Sequence, residues 1–77
     1  MTTAFVLVNC HFPFDPTIKD KISRMPAVTS VDRTEGRYEL MVKIGGETED
    51  DIRNIVAQDF NSISGVDATL IMIIAQP

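Results

Sequence analysis

The hydrophobic pattern begins with a short apolar run that is typical of a β-strand. Residues 3–10 contain five consecutive apolar side chains, Ala4 to Val8, and several of them are β-branched or aromatic. A run of this kind without polar alternation predicts a strand buried on both faces. The chain is therefore expected to begin with a strand inside a sheet.

A helix is predicted next, because both its start and its apolar face have sequence signals. Asp15 followed by Pro16 matches an N-cap with proline at the first helical position. Apolar side chains recur at i, i+4 and i+7, on Ile18, Ile22 and Met25. Pro26 disfavours helical conformation in the residue before it, so the helix is expected to end at Met25.

Two strand-like runs then predict a β-hairpin. Residues 28–33 and 37–44 are rich in strand-forming side chains, and only Thr34, Glu35 and Gly36 separate them. A three-residue gap that contains glycine is typical of a hairpin loop. The second and third strands are therefore expected to pair directly.

The last part of the chain predicts one more helix and one more strand. Thr48 and Asp51 have the spacing of a capping box, and Gly65 follows the end of the helical pattern. Apolar side chains keep helical spacing between them, on Ile52, Ile55, Val56, Phe60 and Ile63. Residues 66–75 are strongly strand-forming, which completes the order βαββαβ.

This order predicts a single domain, residues 1–77, with a ferredoxin-like α+β sandwich fold. Right-handed crossovers would place both helices on one face of a four-stranded antiparallel sheet with strand order 4-1-3-2. Both residue sets of the last strand are largely apolar, so the open sheet face would carry a contiguous apolar patch. Soluble monomers rarely expose such patches, which predicts a face-to-face dimer of the dimeric α+β barrel type.

Composition and charge narrow the possible functions. The net charge of -4 and the pI near 4.6 disfavour direct nucleic-acid binding, since a phosphate backbone requires clustered Lys and Arg. The N-terminus lacks signal-peptide features, and the longest apolar run, residues 70–75, is too short to cross a bilayer. The single cysteine, Cys10, has no internal disulfide partner. A cytoplasmic protein is expected.

Signals for catalysis or cofactor binding are weak. Cys10 and His11 are adjacent without a second pair of ligands, so no metal site is predicted. His11 is the only histidine, and three acids around the hairpin, Asp32, Glu35 and Glu39, are typical of a solvated rim. The chain has no phosphate-binding loop and no convincing aromatic platform for RNA. It is therefore expected to have no catalytic activity and no cofactor.

The segment after the hairpin loop is the most distinctive candidate site. Gly36, Tyr38 and Glu39 place a flexible backbone, an aromatic hydroxyl and a carboxylate within four positions. The carboxylate could accept hydrogen bonds from an ammonium group, and backbone groups beside glycine could meet a carboxylate. An amino acid is therefore a chemically sensible ligand, although these residues are equally typical of a hairpin glycine followed by a strand tyrosine.

At this hairpin the sequence resembles the RAM domain, the effector-binding half of the Lrp/AsnC (leucine-responsive or feast/famine) transcription regulators. The family signature at the third strand is G-x-Y-D followed by aliphatic residues, and residues 36–42 match it with one change, at Glu39. The resemblance extends to the first strand at residues 4–8, the turn at residues 25–28 and the approach to the last strand at residues 65–69.

The resemblance implies a ferredoxin-like domain that dimerises through its sheet, assembles into rings of dimers and holds an amino-acid effector between neighbouring dimers. Family members also carry an N-terminal helix-turn-helix, which these 77 residues do not contain. The chain is thus expected to resemble the stand-alone RAM proteins, regulators of amino-acid metabolism that do not bind DNA themselves. By the same resemblance, Gly36, Tyr38, Glu39 and Thr69 take the effector-binding positions.

Two positions depart from the family pattern. Glu39 stands where aspartate is usual and is one methylene longer, and Ile71 stands where a second threonine or serine is common. The loop of residues 11–14, His-Phe-Pro-Phe, is specific to this chain. Its two aromatic side chains could cover a ligand or pack on the sheet edge, and packing is the prediction.

Two other functions stay open from the sequence. One is an interaction subunit that co-assembles with full-length Lrp/AsnC regulators and alters their DNA binding. The other is a small dimeric α+β barrel enzyme, which would need a deep cavity lined by His11 or Tyr38.

Overall fold

The order of helices and strands agrees with the sequence prediction. The computed structural model describes residues 2–11 and 15–74, and all the structural statements below concern these residues. The strands are β1 (Thr2–Cys10), β2 (Val28–Arg33), β3 (Leu40–Gly46) and β4 (Val66–Ile74), and the helices are α1 (Pro16–Ser23) and α2 (Glu49–Ile55). The helical path continues from α2 through one wider π-helical turn, Val56–Phe60.

The strands form one antiparallel sheet in the order β2-β3-β1-β4. β1 is central, and its Val6 lies opposite Val42 of β3 on one side and Ile71 of β4 on the other. β2 and β4 are the edge strands. The predicted ferredoxin-like fold and strand order are confirmed.

The hydrophobic core lies between one face of the sheet and the helices. The strands contribute every second residue, which is the periodicity of a strand with one buried face. These side chains are Ala4, Val6, Val8, Cys10, Leu40, Val42 and Ile44, and the helical segments add Ile18, Ile22, Ile52, Val56 and Phe60. In a single chain β1 is buried on one face only, so the prediction that both of its faces are buried is wrong. Phe5 and Leu7 point away from the helices and stay partly exposed, because no described part of the chain covers that face.

Both helix starts have the predicted caps. The Asp15 carboxylate accepts hydrogen bonds from the Thr17 backbone N–H at 2.9 Å and from its hydroxyl at 2.8 Å, and these bonds lower the pKa of Asp15 below its ordinary 3.8. At α2, Thr48 and Asp51 exchange hydrogen bonds between side chain and backbone, which is a complete capping box. Local polar contacts therefore define where each helix begins.

The end of α1 and the start of β3 differ from the prediction. α1 ends at Ser23, two residues before the predicted Met25, and the Met25 N–H bonds to the Ile22 carbonyl three residues back. This tighter turn lets the chain leave the helix before Pro26. β3 begins at Leu40 and not at residue 37, because residues 34–39 form a wider loop that is closed by a bond from the Thr34 N–H to the Glu39 carbonyl.

Some predicted features lie outside the described residues. They are the packing of residues 12–14 and the last residue of the predicted final strand, residue 75. Among the residues that are described, no helix has the length and apolar character needed to cross a membrane.

Two glycines with positive φ offer a matched test of the packing. Substituting alanine for Gly65 (φ 97°) or for Gly36 (φ 109°) should lower the free energy of unfolding by about 1–3 kcal/mol, because the left-handed backbone strains any other residue. A Cβ at Gly65 would lie 2.9 Å from Cδ1 of the buried Ile18, whereas a Cβ at Gly36 meets nothing within 4 Å. We expect Gly65→Ala to lose about 1–3 kcal/mol more than Gly36→Ala, as overpacked cores do. Urea denaturation measures both losses, and equal losses would contradict this packing.

Candidate functional site

The predicted site residues lie around one end of the central strand. Val8 of β1 pairs with Leu40 of β3 on one side and with Thr69 of β4 on the other. Glu39 directly precedes Leu40, so the loop that carries Gly36, Tyr38 and Glu39 ends beside this point of β1. Thr69 is two strands away from Leu40, roughly 10 Å across the sheet by the usual spacing of strands. The structure therefore places the loop residues together and Thr69 on the far side of β1.

Glu39 is anchored to β1 by both its backbone and its side chain. Its N–H donates to the Val8 carbonyl at 3.0 Å, and its carboxylate Oε2 accepts from the Cys10 N–H at 2.9 Å. The pairing of β1 with β4 shifts register between Asn9 and Cys10, and the regular pairing with β3 has already ended at Val8. The Glu39 carboxylate thus takes the place of a strand carbonyl as the acceptor for Cys10.

The loop around Gly36 and Tyr38 is closed at its base by Thr34. The Thr34 hydroxyl donates to the Tyr38 carbonyl, and the Thr34 N–H donates to the Glu39 carbonyl at 2.9 Å. Gly36 is exposed and has a φ of 109°, which favours glycine at this position. Tyr38 is half-buried. The three predicted residues therefore share one short and internally bonded loop.

Thr69 is held by the segment that follows the π-helical turn. Its hydroxyl donates to Oδ1 of Asn61 at 3.2 Å, and the Asn61 N–H donates to the Val56 carbonyl five residues back at 3.0 Å. The wider turn positions Asn61 toward β4. The sequence does not predict this contact, because the apolar spacing from Ile52 to Phe60 also fits a regular α-helix.

Cys10 lies in an acidic environment that the sequence pattern does not reveal. Burial raises the pKa of its thiol above the ordinary value of 9.0, the carboxylates of Glu39 and Asp67 raise it further, and Arg33 opposes them. The neighbouring His11 side chain is exposed, with Nδ1 3.6 Å from Oδ2 of Asp67. Strand alternation is a signal that Cys10 points inward and His11 outward, but only the fold brings Glu39 and Asp67 to this point.

The described residues contain neither a cluster of metal ligands nor an enclosed pocket. They contain no group of three or more His, Cys, Asp or Glu side chains that could hold a metal ion. Within the same ranges the single chain encloses no pocket. The polar groups described above instead lie at the surface of the sheet end.

A four-stranded sheet with helices on one face and a bonded Gly-x-Tyr-Glu loop at its end is the arrangement expected of a regulatory RAM domain, and comparison with known proteins agrees. Residues 3–76 match the family model of the Lrp/AsnC ligand binding domain. The chain belongs to the Lrp/AsnC family, in which it corresponds to the ligand-binding domain.

Relatives of known sequence or structure match the chain over different shares of their own length. An uncharacterized HTH-type transcriptional regulator of Pyrococcus horikoshii, PH1916, is 29% identical over 79 residues, which cover 94% of this chain and 50% of the relative. The chain thus spans about half the length of that curated relative. The structure of TTHA0845 from Thermus thermophilus is 25% identical with a TM-score of 0.91, and the match covers 100% of this chain and 96% of that one.

A third likeness concerns the fold alone. The transcriptional regulator NMB0573 from Neisseria meningitidis, solved as a complex with L-Met, is 14% identical to this chain with a TM-score of 0.81. The match covers 97% of this chain and 50% of that protein.

The contact between Glu39 and Cys10 can be tested through the thiol. We expect Glu39→Gln to lower the pKa of Cys10 relative to the unmodified protein, because the substitution removes a neighbouring negative charge while burial and Asp67 keep the pKa raised. The rate of alkylation by iodoacetamide as a function of pH measures this. Glu47→Gln, at an exposed position in the loop after β3, is the matched control. An identical pH profile for Glu39→Gln and Glu47→Gln would contradict the contact.

Proposed function

We propose that this domain is a regulatory module that binds an amino-acid effector and itself neither catalyses a reaction nor contacts DNA. The observation that carries the proposal is the anchored carboxylate of Glu39 in the loop that matches the family signature. An ionised carboxylate has about four acceptor positions, so the bond from Cys10 leaves capacity for the ammonium group of an amino acid. Gly36 exposes backbone groups in the same loop, which suit the ligand's carboxylate.

The ligand class is supported by the regulator that was solved with an amino acid. NMB0573 forms a complex with L-Met, and it shares the fold of this chain. At 14% identity the likeness supports an amino acid as the class of ligand and leaves the particular amino acid to experiment. The net charge of -4 supports the absence of direct DNA contacts by these residues, since counterion release at a phosphate backbone requires clustered cations.

We also infer that the domain works as a dimer formed through the open face of its sheet. Leu70, Met72 and Ile74 of β4 are 45%, 42% and 37% exposed, and Phe5 and Leu7 of β1 lie beside them on the same face. Covering such a contiguous apolar patch is favourable by about 25 cal/mol per Å². Because one chain encloses no pocket in its described part, a second dimer in a ring would complete the enclosure of the effector.

Ligand binding is the direct test of the effector proposal. Isothermal titration with each proteinogenic amino acid should identify at least one that binds, and Glu39→Gln should weaken that binding about tenfold or more, because a hydrogen bond to a charged group contributes about 1.5–3 kcal/mol. Thr69→Val tests the fourth predicted residue, and Glu47→Gln again serves as the control.

The outcome distinguishes the two regulatory alternatives. If no amino acid binds, the effector proposal fails. A dimer that binds no amino acid but co-purifies with a full-length Lrp/AsnC regulator would instead support the interaction-subunit alternative.

The dimer proposal has its own test. Analytical ultracentrifugation at micromolar concentration should give twice the 8.5 kDa mass of one chain, or a whole multiple of that dimer mass if the dimers assemble into a ring. Leu70→Asp should shift the mass to that of a monomer, because an unpaired carboxylate in an apolar interface costs several kcal/mol. Ala57→Asp, at an exposed position of the π-helical turn, should leave the dimer intact. A monomeric unmodified protein would refute the proposal.

A further inference from the structure

The open sheet face is ordered in two rows that run across the strands. One row crosses all four strands: Ser30 of β2 lies opposite Lys43 of β3, Lys43 lies opposite Phe5 of β1, and Phe5 lies opposite Met72 of β4. The next row crosses all four strands and consists of Asp32, Met41, Leu7 and Leu70. All of these residues face away from the core, because the alternate positions on the same strands contribute to it.

Each row has an apolar half and a half that carries a charge. The apolar half lies on β1 and β4, whereas the charges lie on β3 and β2. Lys43 is half-buried in the first row and Asp32 is exposed in the second. In the described part of the chain neither side chain has an ion-pair partner within 4.0 Å. These two rows therefore present one positive and one negative charge without internal neutralisation.

The symmetry of a two-fold dimer limits how two such faces can meet. In one arrangement the two-fold axis runs parallel to the rows and lies midway between them. Each row of one copy then lies over the other row of the second copy, and all four strands are covered. Met72 then lies over Leu70 of the second copy and Phe5 over Leu7, so apolar groups meet apolar groups. An axis along the central strands would instead place Asp32 over apolar β4, at a desolvation cost for the carboxylate.

We propose that, in the sheet-face dimer, Lys43 of each copy pairs with Asp32 of the other and that these two reciprocal ion pairs set the orientation of the subunits. The inference rests on the proposed dimer and names the contacts that orient it. With the axis along the rows, Lys43 lies over Met41 of the second copy, and Asp32 is the neighbour of Met41 in that row, so the Lys43 side chain reaches Asp32 diagonally across one strand. Opposite charges at this place favour one orientation, and like charges at an interface disfavour association.

The test uses two charge reversals that are complementary only between chains. In Lys43→Glu both positions are negative, and in Asp32→Lys both are positive, so each variant alone should dimerise with a Kd raised about tenfold or more by like-charge contacts. In a mixed dimer the new carboxylate of K43E faces the new ammonium group of D32K, and the second contact keeps the original pair of Lys43 with Asp32. We expect an equimolar mixture to recover a Kd close to that of the unmodified protein, measured by sedimentation velocity and native mass spectrometry.

Matched controls show whether the effect depends on the open face. Lys21→Glu and Asp20→Lys produce the same charge changes on exposed positions of α1 and should neither weaken dimers nor favour mixed ones. Statistical mixing of K43E with D32K would overturn the proposal, because an ion pair inside one chain cannot be repaired by mixing two single variants. A monomeric unmodified protein would refute the underlying dimer, whereas a stable dimer that tolerates both reversals would refute only the ion pairs.

Discussion

A single layer of helices covers only one face of a four-stranded sheet, and most features of this domain follow from that constraint. The covered face takes the small and branched side chains of β1 and β3 together with the apolar faces of α1 and α2. The uncovered face keeps Phe5, Leu7 and the exposed apolar residues of β4. Burial of apolar side chains on the first face stabilises the fold. The apolar side chains that stay exposed on the second face favour the proposed association with another copy.

Local signals in the sequence predict the parts of the fold that local contacts determine. Asp15 and Thr48 cap their helices as expected because a cap involves residues only two or three positions apart. The strand order also follows, since few topologies connect βαββαβ without crossing. The wrong boundaries fall where hydrogen bonds across a turn compete with the hydrophobic pattern. Tyr38 and Glu39 look like strand residues, but the bonds that Thr34 forms across the loop base hold them outside β3.

The sequence predicts the candidate site as a set of residue types and not as a geometry. The family signature identifies Gly36, Tyr38 and Glu39 as neighbours, and the structure places them in one loop. The signature does not reveal that the Glu39 carboxylate bonds to Cys10, because that contact spans 29 positions and lies beside a register shift in β1. The same holds for Asn61 and Thr69, which meet where a π-helical turn adds width to the helix end.

The bond between Glu39 and Cys10 has a consequence for the energetics of any effector. A ligand that draws the Glu39 carboxylate toward itself competes with the Cys10 N–H at the end of β1. Weakening that hydrogen bond has a free-energy cost, which reduces the net affinity for the ligand. β1 is also the strand that carries Phe5 and Leu7 on the open face. In the proposed function, occupancy of the loop and association of the sheets therefore involve the same strand. By thermodynamic reciprocity, a subunit contact that strains or relaxes this strand changes ligand affinity by the same factor that the ligand changes association.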